Sequence, residues 1–343
     1  MIRVLIIDDS ALIQSLLKEI ITDAHDMEVV GCASDPYQAR EMIKQLNPDV
    51  LTLDIEMPKM DGISFLKNLM RLRPMPVVMI STLTQQGAPI TLEALELGAV
   101  DFVAKPTNNV RAQMQAYAGS VQQKVRTAAK ANIRRHSSKT LAPVTVQKDQ
   151  QFKLNHLVAI GASTGGTEAI KEVITRLPEN FPAVVITQHI PPVFSQSFAI
   201  RMNNVCAMQV HEASDEQVIK AGNIYIAPGG EHLMVQRKGG KLECRLSSSE
   251  PVNRHRPAVD VMFSSIVEQQ LAKHTCALLL TGMGADGAKG LLQLKQAGAV
   301  TAAQDQASSV VWGMPKAAID LGAAQVTLSL AKSPQWLIEQ AKK

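Results

Sequence analysis

Cysteine is scarce in this chain. Its 343 residues include four, Cys32, Cys206, Cys244 and Cys276, and no two of them form a C-x-x-C pair. This argues against a zinc cluster, a dithiol redox centre and a disulfide framework, and leaves core thiols as the expected use. Aromatic residues make up 3% of the chain, and Trp312 and Trp336 fall in no repeated spacing that would suggest a platform for stacking bases, so both are read as packing residues. No apolar run nears the roughly 18 residues needed to cross a bilayer; the longest, such as 4–7 and 277–280, fall far short. Met1-Ile2-Arg3 does not open a basic segment followed by a long apolar stretch and a small-residue cleavage site, so the expectation is a cytoplasmic protein with no membrane insertion. An excess of one charge is also missing. The formal charge is +4, which does not call for a nucleic-acid partner.

Hydrophobic residues, at 46% of the chain, are plentiful, and the length exceeds the roughly 250 residues at which a single core stops growing, so two domains are expected. From 1 to about 130, short apolar runs at 2–7, 28–33, 49–53, 77–80 and 100–103 alternate with stretches of helical periodicity, the last from about Asn109. That alternation predicts a flavodoxin-like, doubly wound domain around a parallel five-stranded sheet. Periodicity fades over 131–152, where Arg134, Arg135, His136, Ser137, Ser138, Lys139 and Pro143 read as a solvated connector. A second alternating series at 157–160, 183–187, 276–280 and 300–303 predicts another α/β sheet over 153–343. Lys238-Gly239-Gly240 between apolar stretches predicts a β-hairpin inside it.

Carboxylates collect at the strand ends of the first domain. Asp8 and Asp9 follow its first strand and Asp54 its third, and in flavodoxin-like order these strands flank the switch point where ligands bind. Three converging carboxylates repel one another unless a hard cation joins them, and an oxygen-only site with room for water suits Mg2+. Asp54 can then act as a nucleophile toward phosphorus, with Lys105 pairing with the phosphoryl group and Ser81 hydrogen-bonding one of its oxygens. The duller use of any one such residue is to cap the next helix. Taken together, Asp8-Asp9, Asp54 in Leu-Asp-Ile-Glu-Met-Pro-Lys-Met-Asp-Gly, Ser81 and Lys105-Pro106 resemble the response-regulator receiver family over nearly the whole first domain. The resemblance implies that Asp54 accepts a phosphoryl group from a histidine kinase. It also implies that Asp9, Asp54 and the backbone carbonyl of Glu56 hold Mg2+, with Asp8 in support.

The second domain opens with a strand running into Gly161-Ala162-Ser163-Thr164-Gly165-Gly166 and then a helical pattern, a turn that exposes its serine. A dinucleotide fingerprint needs glycine where Ser163 stands, and a phosphate-binding loop needs a Gly-Lys that is absent. A nucleophile elbow matches literally from Gly161 to Gly165, although a serine before a helix is often only a cap. His189 follows the next strand, where it can serve as a general base. Thr281-Gly282-Met283-Gly284-Ala285-Asp286-Gly287 follows a third strand, where Asp286 can orient the imidazole and the Met283 amide can donate to an oxyanion. The chain order of serine, histidine and acid differs from the serine, acid, histidine order of α/β-hydrolases.

Ile160-Gly-Ala-Ser-Thr-Gly-Gly-Thr-Glu-Ala-Ile170, Gln188-His-Ile-Pro191 and Thr281-Gly-Met-Gly-Ala-Asp-Gly287 resemble the catalytic motifs of the chemotaxis methylesterase family from about Asn155 onward. The resemblance implies Ser163 as nucleophile, His189 as base, Asp286 as its partner, and Thr164 and Met283 beside the oxyanion. It implies a hydrolase that needs no cofactor, removes methyl groups from glutamyl esters of methyl-accepting chemoreceptors and deamidates particular receptor glutamines. It further implies that the receiver covers the catalytic edge until Asp54 is phosphorylated. Ala285 stands where family members commonly carry asparagine; the roles implied nearby are backbone ones, so little hangs on it.

His232 and the segment Arg254-His255-Arg256-Pro257 also fit the family and could line a substrate groove, or else be solvated and capping residues. The basic stretch Lys124, Arg126, Lys130, Arg134, Arg135, Lys139 raises a DNA-binding output, but a sheet-rich second half with glycine loops is not a helix-turn-helix. The other readings to weigh are a receiver-linked scaffold that binds a partner without turnover, and hydrolysis of a different ester or amide outside chemotaxis.

Overall fold

The computed structural model describes residues 1–81, 87–105, 110–133 and 150–343. Pro106 and the connector residues from Arg134 to Pro143 lie outside the described residues. The chain divides into two compact units, Met1–Ser138 and Lys139–Lys343.

In the first unit, strands β1 (Ile2–Ile7), β2 (Met27–Ala33), β3 (Val50–Asp54), β4 (Val77–Ser81) and β5 (Asp101–Ala104) form one parallel sheet in the order β2-β1-β3-β4-β5. This is the predicted flavodoxin-like order. β3 and β4 are buried at every position, as parallel strands covered by helices on both faces require. Helices start where polar side chains replace the missing intrahelical acceptors. Asp35 accepts from the N–H groups of Tyr37 and Gln38 ahead of the helix Pro36–Leu46, and Asp61 accepts from that of Ser64 at the start of Gly62–Leu72. Because β1 and β3 are adjacent, the residues after them, Asp8, Asp9 and Asp54, leave the sheet at one edge.

The second unit is built on a seven-stranded sheet, parallel throughout, in the order β14-β13-β12-β6-β7-β9-β8. The strands are β6 (Leu157–Ala162), β7 (Ala183–Gln188), β8 (Gln209–Glu212), β9 (Asn223–Ile226), β12 (Thr275–Leu279), β13 (Val300–Gln304) and β14 (Val326–Leu328). A separate antiparallel pair, β10 (His232–Lys238) and β11 (Lys241–Ser247), is the predicted hairpin. Its turn glycines, Gly239 and Gly240, have φ of 55° and 77°, the left-handed pair that a two-residue hairpin loop requires. Leu233, Val235 and Cys244 of the hairpin share a core with Phe263 and Ile266, and the Ser265 hydroxyl accepts from the Val235 N–H at 2.9 Å. The hairpin thus braces the helix Val259–Glu268, whose first residues matter below.

The central strands β12, β6 and β7 are buried at every residue. The chain lays down β6 and β7, crosses to the edge strand β8, fills the gap with β9, then returns to the other side of β6 through β12. The switch point therefore lies at β6, and ligands in open parallel sheets sit at the carboxyl end of such a point. Cys244 and Cys276 are buried while Cys32 and Cys206 are half-buried, all four unpaired; burial pushes the Cys206 thiol up to about 12. No helix among the described residues is long and apolar enough to cross a membrane.

Candidate functional site

Ser163, His189 and Thr281 follow β6, β7 and the end of β12, three neighbouring strands, and the register fixes their proximity. Ala162 pairs with Gln188 and Leu279 with Gly161, so each strand delivers its loop at the same height. The turn after β6 is tight. The Gly166 N–H donates to the Ser163 carbonyl at 2.7 Å, and the Gln188 side-chain amide donates to the same oxygen at 2.9 Å. A Cβ on Gly166 would lie 2.0 Å from the Gln188 Oε1, and one on Gly282 would lie 2.7 Å from the Ser163 Cβ. Gly166 thus leaves room for the Gln188 side chain that holds the turn, and Gly282 lets backbone approach the serine more closely than a side chain permits.

The serine is not a helix cap. Gly165 occupies the cap of the helix Gly166–Ile174 with no side-chain cap bond, and the Ser163 hydroxyl instead lies 3.1 Å from Nδ1 of His189. Nε2 of the same imidazole lies 2.7 Å from Oδ2 of Asp286. Asp286 is buried and does cap a helix, though not the one that follows it. Gly287 caps Ala288–Gln296, while the Asp286 carboxylate crosses to the start of Val259–Glu268, accepting from Val259 N–H at 2.6 Å and Asp260 N–H at 3.2 Å. Burial alone would push this carboxyl up. The imidazole's hydrogen bond and charge, the Asn253 amide and the Val259 N–H outweigh burial and hold it below the usual carboxylate range.

An ionised Asp286 only accepts, so the His189 proton resides on Nε2 and the Nδ1 lone pair faces the serine hydroxyl. The assignment follows from the hydrogen-bond network. It uses the opposite ring nitrogen from the familiar serine-protease arrangement, in which Nε2 faces the serine. The geometry can take a proton from Ser163 and hold it beside a buried anion.

Thr164 and Met283 lie on the two loops that meet at Ser163. The Ser163 N–H donates to the Thr281 carbonyl at 3.0 Å, and the Thr281 hydroxyl reaches the Thr164 carbonyl at 3.0 Å. The loop bearing Met283 is braced from behind, its Gly282 carbonyl accepting from the N–H groups of Gly313 and Met314. Ala285 is exposed, so the departure at that position leaves the hydrogen-bonded residues untouched.

Two residues bound to this site carry no sequence signal of their own. Asn253 donates from Nδ2 to Asp286 Oδ1 at 2.7 Å and to Asp260 Oδ2 at 2.8 Å, and Asp260 also accepts from the Gly290 N–H at 2.7 Å. The reading of His232 as a groove donor is corrected. Its side chain is fully buried, Nδ1 accepts from the Ala258 N–H at 3.1 Å and Nε2 donates to the Glu250 carbonyl at 3.1 Å, so backbone uses both nitrogens. Arg256 likewise donates to the carbonyls of Ser248 and Ser249. Trp336 is buried, and Trp312 is half-buried with its backbone bridged to Gly282.

In the first unit Asp8, Asp9 and Asp54 can each place one carboxylate oxygen within 4.8 Å of the others. Asp8 and Asp54 are buried and Asp9 is exposed. Lys105 Nζ lies 3.1 Å from Asp8 Oδ2 and 2.8 Å from Asp54 Oδ2, and neither oxygen has a well-directed hydrogen bond. Asp54 does not cap the following helix, a role Asp61 fills. Burial pushes the Asp54 carboxyl up to about 6, Lys105 pulling it down and Asp8 adding repulsion. Two buried carboxylate oxygens facing one ammonium, with a third carboxylate at the rim, fit a hard divalent cation. Glu56, Ser81 and Lys105 line the same cleft as Asp54, and the Ser81 hydroxyl lies 2.9 Å from that of Thr91.

The family model described as CheB methylesterase matches residues 158–337, and that described as response regulator receiver domain matches 4–116. The chain is 55% identical to protein-glutamate methylesterase/protein-glutamine glutaminase 2 of Saccharophagus degradans, covering 100% of this chain and 99% of that one. It is 50% identical to the protein-glutamate methylesterase/protein-glutamine glutaminase of Salmonella typhimurium, covering 98% of this chain and 96% of that one. The crystal structure of the Thermotoga maritima CheB methylesterase catalytic domain is 40% identical, with a TM-score of 0.53, and covers 54% of this chain and 98% of its own. On matches that run almost from end to end, the chain belongs to the CheB methylesterase family, with a response-regulator receiver domain ahead of the catalytic one.

Proposed function

We propose that this chain is a phosphorylation-regulated protein-glutamate methylesterase and protein-glutamine glutaminase of chemotaxis adaptation, acting in the cytoplasm on methyl-accepting chemoreceptors. The observation that carries the reading is the contact series Ser163 Oγ to His189 Nδ1 to Asp286 Oδ2, at 3.1 and 2.7 Å, on the carboxyl edge of the catalytic sheet. Ser163 attacks the side-chain carbonyl carbon of a glutamyl methyl ester as its proton passes to His189 Nδ1. Backbone N–H groups of Thr164 and Met283 receive the oxyanion. His189 returns the proton to the departing methoxide, or to the departing amide nitrogen, so methanol or ammonia leaves. Water then attacks the acyl-enzyme by the same route and frees Ser163.

In the receiver, Asp54 takes a phosphoryl group from a histidine kinase, Lys105 pairs with it and Ser81 donates to one of its oxygens. Asp9, Asp54 and the Glu56 carbonyl, with Asp8 in support, would hold Mg2+, which neutralises charge on the phosphoryl oxygens when bound. Residues 131–152 tether this receiver domain, 1–130, to the catalytic domain, 153–343. Receptors incubated with the phosphorylated enzyme should lose methyl groups by mass spectrometry, and retention of every methyl group sinks the proposal.

Two further results are expected. Asp54→Asn abolishes phosphoryl uptake and leaves basal hydrolysis in place; continued stoichiometric labelling of that variant rejects the acceptor. Residues 152–343 alone hydrolyse ester faster than the unphosphorylated full chain, and equal rates remove inhibition by the receiver.

A further inference from the structure

One turn reaches both His189 and Asp286. Val252 and His255 exchange backbone hydrogen bonds at 3.0 and 2.9 Å, and the two residues between them, Asn253 and Arg254, have φ of 53° and 69°. That is a two-residue hairpin loop with left-handed backbone at both central positions, built here without glycine. Left-handed backbone is unfavourable for a residue as bulky as arginine and persists where the surroundings impose it. The surroundings are explicit. Arg256 ties the far side of the turn to the Ser248 and Ser249 carbonyls, its own carbonyl accepts from the Gly230 N–H, and buried His232 links Glu250 to Ala258.

The turn sends two side chains to the triad. Asn253 uses its amide nitrogen to bridge Asp286 and Asp260, one oxygen of each, at 2.7 and 2.8 Å. An amide with two protons is suited to sit between two carboxyl groups, where it satisfies both. His255 lies flat on His189, with ring centroids 3.6 Å apart and planes 13° apart.

The stack supplies a restraint that the hydrogen bonds lack. Contacts at Nδ1 and Nε2 lie in the plane of the His189 ring, and hydrogen bonds of that kind yield to a small rotation about Cβ–Cγ that carries both nitrogens out of line. Swinging turns the Nδ1 lone pair away from the Ser163 hydroxyl, and misalignment of that order is costly in rate. A parallel ring against one face blocks rotation toward that face, as Asn253 restrains rotation of the carboxylate.

We propose that the turn 252–255 is a positioning clamp for the triad, Asn253 setting the Asp286 carboxylate and His255 setting the plane of His189. The proposal rests on Ser163, His189 and Asp286 acting together, and neither clamp residue exchanges a proton with substrate. Full-length His255→Ala should lower kcat on methylated receptor by about tenfold to a hundredfold with KM within about twofold, because alignment and not binding is lost. Asn253→Ala should behave alike. His255→Phe should recover most of the loss, since the clamp needs a flat face against His189.

A spectroscopic measurement separates the clamp from a general structural role. The carbon-bound ring protons of His189, assigned against His189→Gln, should resonate upfield in the unaltered chain because of the adjacent ring. They should move downfield in His255→Ala and stay upfield in His255→Phe. An unchanged kcat in His255→Ala, a phenylalanine variant as slow as the alanine one, or absence of the upfield shift in the unaltered chain overturns the clamp. Should the alanine variant fail to fold, the shift in the unaltered chain and the rate of His255→Phe still decide. A complete lack of hydrolysis by the unaltered chain would instead strike the triad reading on which the clamp depends.

Discussion

Ser163→Ala should lower kcat for ester hydrolysis by about a million-fold, the size of loss expected when the nucleophile of a serine triad is removed. The variant keeps its fold for reasons visible around the turn. The contacts that shape the elbow use the backbone of Ser163 and not its hydroxyl: the Ser163 N–H to the Thr281 carbonyl, and the Ser163 carbonyl to the Gly166 N–H and the Gln188 side-chain amide. The hydroxyl contributes one contact, to His189 Nδ1, and alanine leaves no void larger than that oxygen. Receptor binding should therefore survive while turnover vanishes, and the two are separable by measuring sedimentation with receptor-bearing membranes beside methanol release. Turnover within about tenfold of the unaltered chain would return the scaffold reading to first place and leave the acyl-enzyme without support.

What the sequence disclosed depended on where in a sheet a residue sits. The buried parallel strands are mostly apolar, so β6, β7, β12 and β13 are legible, and the residues that follow them fall at one edge as soon as the strands are parallel neighbours. Strands β8 and β14 have no such signal. They close the two ends of the sheet, carry polar residues such as Gln209, His211 and Thr327, and stay partly exposed, as edge strands do to avoid pairing with other chains. β9 is too short to stand out, four residues beginning with Asn223.

The site divides in the same way. Ser163 and His189 are readable because each lies directly after a strand, and Asp286 because it lies in the glycine-rich loop after β12, whereas Asn253 reaches Asp286 from 33 residues away through a turn whose left-handed backbone falls on Asn and Arg, with no glycine to mark it. His255 reads beside Arg254 and Arg256 as a groove residue, but stacking on His189 is a tertiary fact with no local pattern. The capping alternatives weighed for Ser163 and Asp286 met different ends. Gly165 took the cap position from the serine, and Asp286 capped a helix distant in sequence, which is the means by which its carboxylate is held.

Asp286→Asn should lower kcat by about ten-thousand-fold, and the hydrogen-bond inventory says why a single atom matters. Oδ1 accepts from the Asn253 amide and the Asp260 N–H, and Oδ2 from the Val259 N–H and His189 Nε2. All four partners donate. A carboxamide offers one acceptor atom, so its NH2 must confront two donors whichever way it turns. If the NH2 faces His189, the imidazole moves its proton to Nδ1 and presents Ser163 with a donor where a lone pair is needed. If it faces Asn253 and the Asp260 N–H, the helix start and the clamp lose their acceptor, at about 1–3 kcal/mol for each buried donor left unmet. Stability gives an independent check whose sign follows from the depressed carboxyl of Asp286. Its contribution is complete above the unfolded-state value near about 4 and disappears as pH falls through the lower folded-state value. The gap in Tm between the unaltered chain and Asp286→Asn should therefore be widest near neutrality and narrow in acid below that value; a gap that widens with acidification contradicts the ionised, donor-surrounded carboxylate on which the direction of proton transfer depends.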